Sequence, residues 1–327
     1  MPSCRNDMTT QALQTFLRSL DHGAVRQDTY DLEHLTALTP AERTMAEDAL
    51  LHRARRDHDR RAILSLAALR VFRAIPLLEA IAADPASPGA VWANLALDRL
   101  GADTAGRIAR DALFAPSFIA RFAAVHALRD HPRPHAIDAL LACLHDPAPT
   151  LRSEAYASLL AALGLTPLAR AADGQPAFNA PLERIHLLIA SPLESLARRG
   201  AAEAGRIVRA LIDGKTPQQL DLIYRPTAPA DFGDALAAAL LDPATPVPVE
   251  RVRAATGHDR AWAETFLVAQ LAVSRPRVPA AIADLGLVWA LDVLREARRA
   301  TGKGDPYAAE LDAAIARLAA SANPDTH

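Results

Sequence analysis

Cysteine is almost missing from this chain. Two cysteines in 327 residues, Cys4 and Cys143, cannot build a disulfide framework or a cysteine-only structural zinc site. Glycine is scarce too, with 14 residues, leaving little material for a phosphate-cradling loop. Aromatic residues make up 5%, and lysine occurs only as Lys215 and Lys303 against 34 arginines. No uncharged apolar run of about 18 residues occurs, so no membrane span is expected. The opening residues Met1 to Asp7 lack the apolar core of a secretory signal, which makes a cytoplasmic location the expectation. Met8 is an alternative start. A formal net charge of −2 gives no global reason to expect nucleic acid or an acidic membrane as partner.

The common catalytic signatures are missing as well. Neither Gly-x-Ser-x-Gly, nor a Gly-x-x-x-x-Gly-Lys loop, nor His-Glu-x-x-His, nor Gly-x-Gly-x-x-Gly is present. None of the 11 histidines is followed by glutamate, unlike the di-iron deoxyhypusine hydroxylases built from helical repeats. The residues nominate no catalytic group, no metal ligand and no cofactor.

What is abundant is alanine, about a fifth of the chain. So much of the best helix former, with few aromatic and β-branched residues, predicts an all-α fold. Arginine in place of lysine, beside this alanine excess, is the pattern of GC-rich, bacterial coding. Four segments align on their small residues, beginning at Arg61, Ala90, Arg121 and Arg152, with intervals of 29, 31 and 31. Each carries apolar residues at helical spacing, with alanine where a neighbour must approach closely. Second helices are expected near Ile75 to Ala83, Ala105 to Phe114 and His135 to Leu144. Asp84-Pro85 and Asp146-Pro147 are expected to stop one unit, the aspartate capping the next helix. A helix pair repeated at this interval is the signature of stacked helical repeats.

The stretch Asp146-Pro-Ala-Pro-Thr-Leu-Arg152-Ser-Glu-Ala155, running on to Leu163-Gly164, resembles a HEAT repeat. In that family an Asp-Pro turn precedes the first helix, and the aspartate and an arginine six residues later form a ladder between units. Asp146 and Arg152 match that pair, whereas Asp84 is followed at that distance by Ala90 and Arg121 is preceded by Ala115. The resemblance covers residues 40 to 165 and implies a right-handed α-solenoid of HEAT-like helix pairs. The second half is helical but less regular, with helices expected near Leu193 to Ile212, Phe232 to Leu241, Ala261 to Val273, Ala280 to Arg299 and Tyr307 to Ser321. Breaks are expected at Asp173 to Pro176 and along Asp242 to Pro248. The expected organisation is an N-terminal helix and lead-in over 1–39 and HEAT-like repeats over 40–175. Residues 176–327 are either degenerate repeats or a C-terminal helical bundle.

Histidine precedes aspartate at His58-Asp59, His145-Asp146 and His258-Asp259. An oriented base or metal pair is one reading, and a helix end followed by a cap is the other. His131-Pro-Arg-Pro-His135 reads as a turn. Arg53 to Arg61 holds five arginines in nine residues, suited either to phosphates or an acidic protein, or to a solvated helix end. Up to Gly164 the chain has 18 basic and 19 acidic side chains, and Trp92, Trp262 and Trp289 are scattered. That balance disfavours nucleic acid.

In a HEAT-type solenoid the second helices line the concave face. They would present Arg73, Glu79, Arg107, Arg110, Asp111, His135 and Asp138, a mixed-charge strip suited to a protein partner. The expected function is a non-catalytic scaffold binding another protein, such as an adaptor or a toxin-immunity protein. The alternative is an enzyme on the same scaffold, either a DNA base glycosylase or a lyase resembling the HEAT-repeat bilin lyases.

Overall fold

The computed structural model describes residues 3–21, 29–30, 32–33, 35, 38–84, 86–169, 178–229, 231–242, 245–302 and 304–322, with side chains from residue 11 onward. Pro85, Lys303 and the expected break at Asp173 to Pro176 lie outside them. The described residues form an all-α protein of seventeen α-helices without a strand. They divide into two compact units, residues 1–139 and 140–327.

Unit 1 contains α1 (Ser3–Asp21), α2 (Pro40–Asp57), α3 (Arg60–Ala68), α4 (Ile75–Ala83), α5 (Ala90–Arg99), α6 (Ala105–Phe114), α7 (Phe118–Ala127) and the start of α8 (Pro134–Cys143). A capping box starts α2: the Thr39 hydroxyl accepts from the Glu42 amide, the Glu42 carboxylate accepts from the Thr39 amide, and Pro40 takes the first helical position. His58 ends α2 in the left-handed region (φ 48°), and Asp59 caps α3 by accepting from the Arg61 and Ala62 amides. Asp84 and Asp146 do not cap the next helix as expected. Each accepts from the amide two residues on, Ala86 and Ala148, at 2.9 and 2.8 Å, closing the same turn at two places.

Packing in unit 1 runs between helices close in sequence. α2 lies on α1, α3 and α4; α5 lies on α3, α4, α6 and α7; α6 lies on α7. Leu50, Ile63, Leu66, Leu78, Leu97 and Ile108 are fully buried, and alanines such as Ala62, Ala93, Ala96 and Ala124 let the backbones approach. Ion pairs join successive layers. Arg73 reaches Asp48 (2.5 Å) and Glu47 (3.2 Å), Arg107 grips Glu79 with both nitrogens (2.7 and 3.1 Å), and Arg133 reaches Asp103 (2.8 Å). The partners of these pairs are 25 or 26, 28 and 30 residues apart, so the repeat interval is written in the ion pairs as well as in the apolar pattern. The pairs lie at exposed or part-buried positions, where each is individually weak; together they fix register.

Unit 2 contains the rest of α8, then α9 (Pro149–Ala162), α10 (Ala180–Ala190), α11 (Glu194–Ile212), α12 (Phe232–Leu241), α13 (Val249–Ala254), α14 (Gly257–Ala269), α15 (Val278–Asp284), α16 (Leu291–Ala300) and α17 (Pro306–Ala322). Here the packing reaches further along the chain: α10 lies on α9, α11 and α14, α11 on α16, and α15 and α16 on α17. One core holds Leu188, Leu236, Leu267, Ile282, Leu294 and Leu311. The single helix expected from Ala280 to Arg299 is two. Gly286, at φ 66°, ends α15 with its amide bonded to the Ala283 carbonyl and the Leu287 amide to the Ile282 carbonyl. That is a Schellman stop, which a left-handed glycine makes at low cost.

Arg152, in the first turn of α9, is only 5% exposed. It donates Nε to the Ile189 carbonyl (2.8 Å), Nη2 to Ser191 (2.5 Å), and Nη1 to Asp146 (2.7 Å) and Pro147 (3.0 Å). It therefore satisfies the C-terminal end of α10 and the turn before α9 with one planar group. Burial lowers its pKa and the nearby Asp146 charge opposes the shift. In unit 1, Arg121 donates to the Ala115 carbonyl at 3.1 Å. Arginine to the carbonyl six residues back thus recurs 31 positions apart, whether or not that residue is aspartate.

Gly200 marks the crossing of α11 on α10, where a Cβ would stand 2.7–2.8 Å from Leu188 Cβ and Ile189. Nothing lies within 4 Å of a Cβ at Gly106 in α6. Gly200→Ala is expected to destabilise the protein by about 1–3 kcal/mol despite the better helix propensity. Gly106→Ala is expected to stabilise it by roughly 0.5 kcal/mol. Urea denaturation of both variants checks the contrast.

Candidate functional site

The expected strip resolves into residues with different fates. Arg73 lies in a short 3-10 turn before α4 and pairs with Glu47 and Asp48, while Glu79 and Arg107 pair with each other. His135 and Asp138 are exposed on α8. Arg107, Arg110 and Asp111 come together in a groove of about 490 Å³ within unit 1, lined also by Trp92, Asn94 and Phe114.

Helical spacing explains that floor. Arg107, Arg110, Asp111 and Phe114 recur at three- and four-residue steps on α6 and so share a face. Asn94 of α5, 3% exposed, donates to Asp111 at 2.6 Å. Burial pushes the Asp111 carboxyl up, with the Asn94 bond and then the Arg110 and Arg107 charges opposing it. Arg110 is exposed and makes no ion pair among the described residues, so its guanidinium is open to a partner's carboxylate. Beside it Phe114 is 75% exposed, followed by Ile119 at 56% and Phe118 at 41%. Three large apolar side chains at one helix junction, next to an open arginine, combine the residue types that anchor protein interfaces. Sequence reasoning found the charged residues and missed Phe114, Phe118 and Ile119, because apolar periodicity does not tell which apolar side chains stay uncovered.

Ser87 Oγ lies 2.7 Å from His58 Nδ1 at the edge of this groove and accepts from the Gly89 amide at 3.1 Å. The pair clips the end of α2 to the turn before α5, where a Cβ at Gly89 would stand 3.0 Å from His58 Cβ. The Asp59 carboxylate faces elsewhere, accepting from Tyr30 Oη at 2.8 Å and capping α3. Among the described residues, no three His, Cys, Asp or Glu side chains are grouped to hold a metal ion, and no helix is long and apolar enough to cross a membrane.

Four of the five arginines of the run are engaged within the chain. Arg53 bonds the Leu20 carbonyl, Arg56 is bidentate to Asp57 (2.7 and 2.8 Å), Arg60 stacks over Trp92 and Arg61 over Tyr30, each at 4.1 Å. In unit 2, Arg199 stacks over Trp289 at 4.3 Å, and Arg298 pairs with Asp312 at 2.9 Å. No protein-family model matches the chain, and comparison with curated proteins and with solved structures gives no match either.

The third His-Asp step holds a buried carboxylate. Asp259 accepts from Tyr224 Oη (2.5 Å), Thr227 Oγ1 (2.6 Å) and the amides of Thr227 (2.5 Å) and Ala228 (2.9 Å). It therefore braces the loop before α12 and is not the N-cap of α14. Glu296 of α16 works similarly, accepting from the Glu194 and Ser195 amides and the Ser195 hydroxyl, so it caps α11 from 102 residues away. Burial would raise both carboxyls, but the donated hydrogen bonds overcome it and hold both below their ordinary values. Depressed carboxylates contribute stability that is present above about pH 4 and lost as pH falls through the folded values. The Asp259→Asn, Glu296→Gln double variant is expected to be weaker by about 2–4 kcal/mol at pH 7, with the gap narrowing below about pH 4. Urea titrations across that range check it, and a gap independent of pH would contradict it.

Proposed function

We propose that this protein is a non-catalytic scaffold, a HEAT-like helical solenoid that binds another protein through the α5–α6 groove of unit 1. Neighbour-to-neighbour packing in unit 1, and ion pairs recurring at 25 to 30 residues, support the repeat reading. The observation that carries the functional reading is the open guanidinium of Arg110 with the exposed Phe114 one turn on, ahead of the exposed Phe118 and Ile119 at the start of α7. Such a surface takes a partner segment that offers a carboxylate next to an apolar side chain. An adaptor or a toxin-immunity protein works in this way, by occupying a partner without chemistry.

The test is affinity capture from the native host with a high-salt wash, run in parallel on the wild-type chain and on Arg110→Glu with Phe114→Ser. Both substituted residues are exposed, so the thermal melting curve is expected to stay unchanged. One stoichiometric protein retained by the wild type and lost, at least tenfold, from the variant is the expected result. Equal recovery by both sinks the groove assignment. Recovery of salt-labile nucleic acid, or of a coloured tetrapyrrole without protein, would turn the reading to the glycosylase or the lyase.

A further inference from the structure

In a chain with 15 aromatic residues, five line one open cavity of about 550 Å³ in unit 2: Phe178, Tyr224, Phe232, Trp262 and Phe266. Phe178, 48% exposed, stands edge-on to Tyr224 (5.3 Å, 88°) and to Trp262 (5.0 Å, 84°), while Trp262 stacks on Phe266 (5.2 Å, 11°). The rings thus turn differently oriented faces and edges toward the space they enclose. At Gly233, where α12 borders the cavity, any side chain would begin 3.6 Å from the benzenoid edge of Trp262. Glycine there leaves that edge uncovered.

The charged groups of the lining have one sign. Asp259 and Asp234 are the acidic members, and among the described residues the lining contains no lysine, arginine or histidine. The oxygens of Asp259 are engaged by Tyr224, Thr227 and Ala228, so it contributes its field and the position of the Tyr224 ring. Asp234 is exposed on α12 and makes no ion pair among the described residues, which leaves a carboxylate available at the cavity. An apolar ligand would fit the rings but leave the Asp234 carboxylate unpaired beside it, and an anion would be repelled. A positive group carrying its charge on methyl or methylene carbons satisfies both, because ring faces attract cations and the carboxylates complete the field.

We propose that this cavity is a binding site for an organic ammonium group, either a free alkylammonium molecule or the alkylated or basic side chain of a peptide. The site is separate from the α5–α6 groove and does not depend on the scaffold reading. It is tested by isothermal titration of the full chain with choline, with its uncharged isostere 3,3-dimethylbutan-1-ol, and with Nα-acetyl-trimethyllysine amide. Both cations are expected to bind at least tenfold more tightly than the alcohol, a difference of about 1.4 kcal/mol. Whichever cation binds more tightly names the source. Phe178→Ala is expected to weaken cation binding at least tenfold, and Asp234→Asn several-fold. Both positions are exposed, and circular dichroism melts confirm that the variants stay folded. Equal binding of choline and the alcohol overturns the cation assignment. Absence of binding by either cation at about 10 mM, or unchanged affinity in Phe178→Ala, overturns the site itself.

Discussion

A guanidinium taken out of water needs hydrogen-bond acceptors, and backbone carbonyls of this fold supply several of them. Arg152 is the clearest case. With four hydrogen bonds to carbonyls it ties the turn before α9 to the last turn of α10. Those carbonyls include the unpaired acceptors that every helix leaves at its C-terminal end. The positive group therefore answers two requirements together, the orphan carbonyls and its own burial. Lysine could not replace it, since an ammonium lacks the flat fork that reaches acceptors on two segments.

The same device, in weaker forms, runs through the molecule. Arg121 repeats the contact with the carbonyl six residues back. Arg73, Arg107 and Arg133 tie successive layers of unit 1 through carboxylates, and Arg60, Arg61 and Arg199 lie on aromatic rings. An excess of arginine that reads as coding bias at the sequence level thus serves the architecture. On the α6 face Arg110, exposed beside Phe114 and lining the groove, makes no such contact among the described residues.

Much of the helical layout was legible. The boundaries expected for α4, α6 and α12 coincide with those observed, because alanine-rich helices with polar breaks carry their limits in the local sequence. α10 was missed although Asn179 followed by Pro181 marks its start, and α15 and α16 were fused because Gly286 was not weighed as a stop. The repeat was visible in the apolar pattern, but its linking contacts were not. An arginine that bonds a backbone carbonyl places no demand on the side chain at that position, so Ala115 and Asp146 play one role with different residues. In the expected binding strip, charge was legible and pairing was not. Glu79 and Arg107 hold each other across 28 residues, a distance at which sequence periodicity says nothing about side-chain partners.

The claim on which the account rests is that arginine–carbonyl bonds hold neighbouring helices together. Equilibrium urea unfolding of Arg152→Met tests it most directly, because methionine keeps much of the side-chain volume and leaves the four carbonyls unanswered. The account predicts a loss of at least about 2 kcal/mol, since buried acceptors cannot recover their hydrogen bonds from an apolar side chain. A change below about 0.5 kcal/mol, the range of an ordinary surface substitution, would contradict it.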